Sequence, residues 1–217
     1  CGPARRHQTA GRIGIIGQPK YSELRTNKMP QVKELLIDAL QDLFHAETQL
    51  TGALPKMAEA AQNARLREAF EKHLAQTQLH VERLQKVFQL LGEKAQAKPC
   101  KAMMGLIAEG EETIQEGAQK EPLAADLALI AAAQKVEHYE IASYGTARGL
   151  ARQLGELESA RLLTHTLGEE ESADFLLTAI SDPLLQQATL DDMGSAVNLD
   201  RGEKQAQPKK KKSGRAA

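Results

Sequence analysis

Glu137 and Glu140 stand one helical turn apart in "LALIAAAQKVEHYEIASYGTARGLA", a stretch otherwise suited to a helix core. At helical spacing Leu129, Ala133, Val136, Glu140, Ser143 and Ala147 fall on one stripe. A carboxylate inside such a stripe is costly unless it is paired or bound to a metal. Three other segments carry the same interruption. Glu47 follows Leu36, Leu40 and Leu43 and precedes Leu50 and Leu54. His73, Thr77 and His80 interrupt a stripe of Leu66, Phe70, Leu84 and Val87. Glu170 and Asp174 interrupt Leu163, Leu167 and Leu177. One misplaced carboxylate is an ordinary solvated side chain. Four stripes with the same defect near mid-length point to a shared polar site.

The spacing repeats between the two halves of the chain. Glu47 precedes Thr77 by 30 residues, and Glu140 precedes Glu170 by 30. The overlay also places Phe70 on Leu163, Leu74 on Leu167 and Leu84 on Leu177. Di-metal carboxylate bundles have this logic: one Glu from each of two helices and Glu-x-x-His from each of the other two. Carboxylate and imidazole together suit divalent first-row ions. The candidate ligands are Glu47, His80, Glu137, Glu140, Glu170 and Asp174, with His73 and Thr77 behind them. One or two ions of iron or manganese per chain are the expected cofactor.

Two positions depart from that pattern. Thr77 stands where the first Glu-x-x-His motif needs its Glu, and Ala173 where the second needs its His. Asp174 and Glu171 are the available substitutes, neither a clean one, so the site is asymmetric and short of ligands. His73 reads as a supporting partner or as a hydrogen-bonded core histidine. His45 and His138 read as surface or interface residues. Tyr139 and Tyr144 read as packed rings with tethered hydroxyls, with redox activity near a metal as the alternative.

The elements that must position these groups are helices. The chain has 217 residues, a net charge of −1, 3% aromatic residues and no Trp. Its abundant Ala, Leu, Gln, Glu and Lys favour helix over sheet. Helices are expected from Asn27 and Pro30 through a kink at Pro55, from about Ala64 to Leu91, from Pro122 to near Gly155, and from about Glu156 to Ile180, with Pro183 as the exit. Residues 100–117 form a shorter helical piece. The resulting fold class is all-α: a four-helix bundle with a long crossover carrying a short extra helix. Residues 29–181 form the bundle. Residues 1–28 read as a flexible arm and 182–217 as a disordered Lys-rich tail.

Composition excludes several classes. Two cysteines, Cys1 and Cys100, make no disulfide framework and fit a reducing, cytoplasmic setting. No apolar run is long enough to span a membrane. The start lacks a signal-peptide core and begins at Cys1 rather than Met, which reads as a fragment or a displaced start. A lipidated N-terminal cysteine has no other support. Residues 1–28 hold six basic and one acidic group, residues 181–217 seven and five, leaving the middle at −8. An acidic body between basic ends does not fit a dedicated nucleic-acid domain. Lys209, Lys210, Lys211 and Lys212 still offer a weak, sequence-blind contact to nucleic acid.

The segments "DLFHAETQLTGALPKMAEAA", "HLAQTQLHVERLQKVFQLLGEK", "CKAMMGLIAEGEE" and "AAAQKVEHYEIASYGTARGLA" resemble the YciE/YciF family of bacterial ferritin-like stress proteins. The resemblance spans about residues 31–180. It implies a ferritin-like bundle, a homodimer, and a di-metal centre held by Glu47, His80, Glu137, Glu140 and Glu170. A stress-response role follows, with Fe(II) oxidation or peroxide removal as the expected chemistry. The competing expectations are a non-enzymatic structural or interaction module with a metal-free buried polar network, and DNA association through the basic tail.

Overall fold

The structure, a computed structural model, describes residues 31–205, with side chains through residue 190. Five helices follow in order: α1 (Gln31–Ala60), α2 (Ala64–Leu90), α3 (Lys101–Gly117), α4 (Pro122–Gln153) and α5 (Leu157–Gln205). The expected start at Asn27, the N-terminal arm and the four consecutive lysines lie outside the described residues. The fold class is the expected all-α bundle. Pro55 lies within α1 and does not end it.

The four long helices form a square in which α1 and α5 each pack against both α2 and α4. Their directions follow from cross-helix contacts. Lys33, early in α1, reaches the Leu91 carbonyl at the end of α2 at 3.2 Å. Asp126, early in α4, meets the turn that ends α1. Gln134 of α4 bonds Asp174 and Thr178 of α5. So neighbouring helices around the square run antiparallel. The crossover from α2 returns along α1, pinned where the Lys98 N–H donates to the Gln41 carbonyl at 3.2 Å. Helix α3 then packs against α4 and α1.

Local chemistry explains the boundaries. Both α2 and α4 stop at a glycine with positive φ, Gly92 at 71° and Gly155 at 77°. After each glycine the next N–H turns back: Glu93 donates to the Phe88 carbonyl and Glu156 to the Ala151 carbonyl. This is the left-handed glycine cap that satisfies the last carbonyls of a helix. Asn63 caps α2, its side-chain oxygen accepting from the N–H groups of Arg65 and Leu66. Pro122 occupies the first turn of α4, where a missing N–H costs nothing.

Asp126 locks the α1–α2 turn from α4. It is buried, and its two oxygens accept from the N–H groups of Gln62 and Asn63 at 2.8 and 2.7 Å. Asp126→Ala strips both donors of their partner. We expect a loss of about 3 kcal/mol, from the scale of charged hydrogen bonds and orphaned donors. Denaturant unfolding checks it, and a change below about 0.5 kcal/mol, the range of ordinary surface substitutions, would contradict this role.

Helix α5 differs from expectation. Its exit at Pro183 does not occur, and the helix continues to Gln205. A proline inside a helix costs about 3 kcal/mol by propensity alone. Here Leu184, one residue further, packs against the apolar core. Packing of Leu184 thus accompanies the continuation of the helix past the local stop signal.

The apolar core falls into two clusters. One contains Leu50, Leu54, Phe70, Leu129, Ile130, Leu177 and Ile180. The other contains Leu36, Leu40, Leu43, Leu84, Phe88, Leu163 and Leu167. Between them lie the buried polar residues Glu47, His73, Thr77, His80, Glu137, Glu140 and Glu170. Among the described residues no helix is long and apolar enough to cross a membrane.

Candidate metal centre

Each long helix delivers its stripe-interrupting residue to this mid-level layer. Glu47 from α1, His80 from α2, Glu140 from α4 and Glu170 from α5 are fully buried, and His73 and Glu137 nearly so. Their ligating atoms form two groups. Glu47, His80 and Glu170 offer one atom each within 4.8 Å of one another, as do His73, Glu137, Glu140 and Glu170. Glu170 belongs to both. Its Oε1 lies 2.9 Å from His80 Nδ1, and its Oε2 lies 3.5 Å from His73 Nε2.

The contacts are close but poorly aligned for hydrogen bonding. Both oxygens of Glu140 and of Glu170, one each of Glu47 and Glu137, and His80 Nδ1 lack a hydrogen-bond partner despite full burial. Thr77 is buried at the same level with its hydroxyl also unpartnered. Among the described residues no lysine or arginine pairs with Glu47, Glu137, Glu140 or Glu170. Buried polar atoms in folded proteins are nearly always satisfied. Convergent unpaired oxygens with imidazole nitrogens are the donor set that a cation would complete.

His80 is oriented from outside the layer. Its Nε2 lies 3.1 Å from Glu169 Oε2 as a hydrogen bond, and Arg83 Nη1 donates to the same oxygen at 2.7 Å. In the neutral imidazole, an N–H on Nε2 leaves Nδ1 to face Glu47 and Glu170 with a lone pair. A carboxylate behind a histidine is the usual device that sets a ligand's tautomer. Tyr144 does the same for Glu47: its buried hydroxyl donates to Glu47 Oε1. His73 Nδ1 faces Gln76 at 3.5 Å, turning Nε2 toward Glu137 at 3.4 Å and toward Glu170.

The protonation tendencies follow from crowding. Burial, then the neighbouring carboxylates, push Glu137 and Glu140 well above the usual range. Burial also raises Glu47, partly offset by His80 and Tyr144. Burial disfavours charged His80, but Glu170 and Glu47 outweigh it and carry it up to about 10. Burial lowers His73. Glu169 goes down despite partial burial, because Arg83 holds it ionised.

These directions set a pH dependence for the metal-free protein. Acids raised in the folded state stabilise fully below their unfolded value near 4.5 and lose that contribution as pH climbs. His80 contributes fully below 6.5 and loses its share as pH rises through about 10. His73 acts oppositely, its penalty present only below about 6.5. We expect chelator-treated protein to melt progressively lower from about pH 6.5 to pH 9, beyond the titration of His73. A midpoint that rises over that interval in differential scanning calorimetry would contradict this balance.

Most candidate ligands thus converge, with two changes of role. His73 joins the ligating atoms rather than standing behind them. Asp174 does not: its Oδ1 accepts from Gln134 at 3.1 Å and lies 3.4 Å from His138, outside both groups. Glu169 and Arg83 were not legible as site residues, because each reads as one of many exposed helical charges. Their only sequence signal is position: Arg83 one turn after His80, and Glu169 beside Glu170. His45 is half-buried, and its Nδ1 accepts the Cys100 N–H at 3.1 Å.

Four antiparallel helices with carboxylates and imidazoles converging at mid-core define a ferritin-like helical bundle protein. Comparison with known proteins narrows this class. The chain belongs to the family described as Domain of unknown function (DUF892), which matches residues 31–190. It is 46% identical over 154 residues to protein YciF of Escherichia coli strain K12, covering 70% of this chain and 92% of that protein. The crystal structure of the Escherichia coli stress protein YciF matches with a TM-score of 0.69 at 43% identity, over 73% of this chain and 99% of that one. YcfI of Rhodopseudomonas palustris matches with a TM-score of 0.65 at 41% identity, over 71% and 96%. A Xanthomonas campestris pv. campestris protein at 20% identity and TM-score 0.59, over 75% and 99%, shares the fold.

Proposed function

We propose that the bundle holds two divalent first-row metal ions, iron or manganese, and acts as a cytoplasmic redox protein of the stress response on Fe(II) or peroxide. The supporting observation is the cluster of buried, unpaired carboxylate oxygens without a lysine or arginine partner among the described residues. Glu47 and His80 would hold one ion, and His73, Glu137 and Glu140 the other, with Glu170 shared. When bound, such ions supply one-electron chemistry and polarise an oxygen substrate. The protein's own residues fix the geometry: Glu169 and Arg83 orient His80, Tyr144 orients Glu47, and Gln76 turns His73. The reading includes a homodimer, supported by exposed apolar side chains such as Leu157 and Phe175. The stress-protein name of the Escherichia coli relative supports the cellular role.

A second reading is a non-enzymatic module with a metal-free polar network. It is favoured by His80 standing between Glu47 and Glu170 at 3.3 and 2.9 Å, an internal counter-charge. The deciding measurement is elemental analysis of tag-free protein before and after Fe(II) or Mn(II) loading, followed by Fe(II)-oxidation and peroxide-consumption assays. Two retained ions per chain with turnover support the first reading. Folded protein that retains none supports the second.

A further inference from the structure

A surface cavity reaches the layer. A cavity of about 430 Å³ lies between α2 and α5, and its lining includes His73 and Glu137. These two belong to one ligating group, and Glu137 Oε2 has no partner. Buried Phe70 and Leu177 make apolar walls, exposed Lys72 and Ser172 sit at the rim, and half-buried Ala173 lies along the passage. Ala173 stands where the internal repeat would place a counterpart of His80. It follows Glu170 by one helical turn, so an imidazole there would extend into this space. The missing ligand and the opening are the same feature.

From this the geometry points to a binding site, between α2 and α5, for a small organic molecule with an oxygen-donor head and a short alkyl tail. The head reaches the ion held by His73 and Glu137, and the tail lies against Phe70, Leu177 and the Ala173 methyl. The volume is within the range of small-molecule pockets and exceeds the need of peroxide or dioxygen alone. An anionic head meets ionised Glu137 only with a cation between them, so this assignment rests on the metal reading above.

The test uses full-length protein loaded with Co(II), whose visible absorption reports a new oxygen ligand. Acetate, butyrate and hexanoate are titrated in turn. Burying the tail predicts tighter binding with length, roughly three- to fourfold per added methylene. In Ala173→Leu, Co(II) uptake and acetate binding persist while the gain with chain length is lost. Ala173→Val gives a smaller loss and serves if the larger side chain unfolds the bundle. Chain-length-independent binding in the wild type, or an undiminished gain in the folded variants, overturns the pocket assignment and leaves the metal reading standing. Failure of the wild type to take up Co(II) overturns both.

Discussion

Replacing Glu170 with Gln should empty both halves of the proposed centre, whereas replacing Glu47 or Glu140 should empty one. Glu170 alone belongs to both groups of ligating atoms, with one oxygen facing His80 and the other facing His73. Glu47 serves only the first group and Glu140 only the second. Changing even a supporting partner of a metal ligand costs about 10–100-fold in affinity, so loss of a shared ligand costs at least that at each position. Elemental analysis after loading and desalting should show two ions in wild type, about one in Glu47→Gln or Glu140→Gln, and almost none in Glu170→Gln. One ion retained by Glu170→Gln would show that the two halves do not share it. Stability of the metal-free proteins gives an independent sign. If the layer awaits a cation, Glu170→Gln relieves repulsion with Glu47, Glu137 and Glu140, and the melting point rises. If it is a finished polar network, removing His80's partner is destabilising by about 3–5 kcal/mol.

Metal loading should raise the melting temperature by roughly 5–10 °C per ion. Free metal at a hundredfold excess over its dissociation constant contributes about 2.7 kcal/mol per site. For a chain of this size 1 kcal/mol moves the midpoint by about 2–4 °C. The effect should be larger at pH 8 than at pH 6, because protons compete for the same carboxylates and imidazoles. Calorimetry with Fe(II), excluding air, or with Mn(II) checks this, and chelator should reverse it. An unchanged midpoint would remove the metal from the account of this fold.

The bundle and the level of its polar layer were legible because both rest on helical periodicity. Glu47, His80, Glu140 and Glu170 each broke an apolar stripe, and the 30-residue spacing matched them in pairs. Direction was less legible than depth. Asp174 follows Glu170 by four residues, and the one extra residue relative to Ala173 rotates it toward Gln134 and His138. His73 looked secondary because two turns separate it from His80, yet α4, which runs parallel to α2 across the square, and the antiparallel α5 bring Glu137 and Glu170 to its ring. Glu169 and Arg83 lie at the edge of the layer, where periodicity does not separate a supporting pair from solvated charges. The length of α5 was illegible for another reason. Pro183 carries a strong local stop signal, and the packing of Leu184 just beyond it is not visible in local sequence.

The separation of the apolar core into two clusters has a mechanical meaning. Each end of the bundle is a greasy plug that coheres by itself, and the charged waist between them is a seam. With cations in place the seam is a rivet joining all four long helices through one shared carboxylate. Without them, water entering the waist hydrates Glu137 and Glu140 at little cost to either plug. Backbone amides near the waist should then exchange with solvent sooner than those at the ends. Chelation that removes the ions at neutral or alkaline pH would loosen the protein from its middle outward, the reverse of the fraying that begins at helix termini.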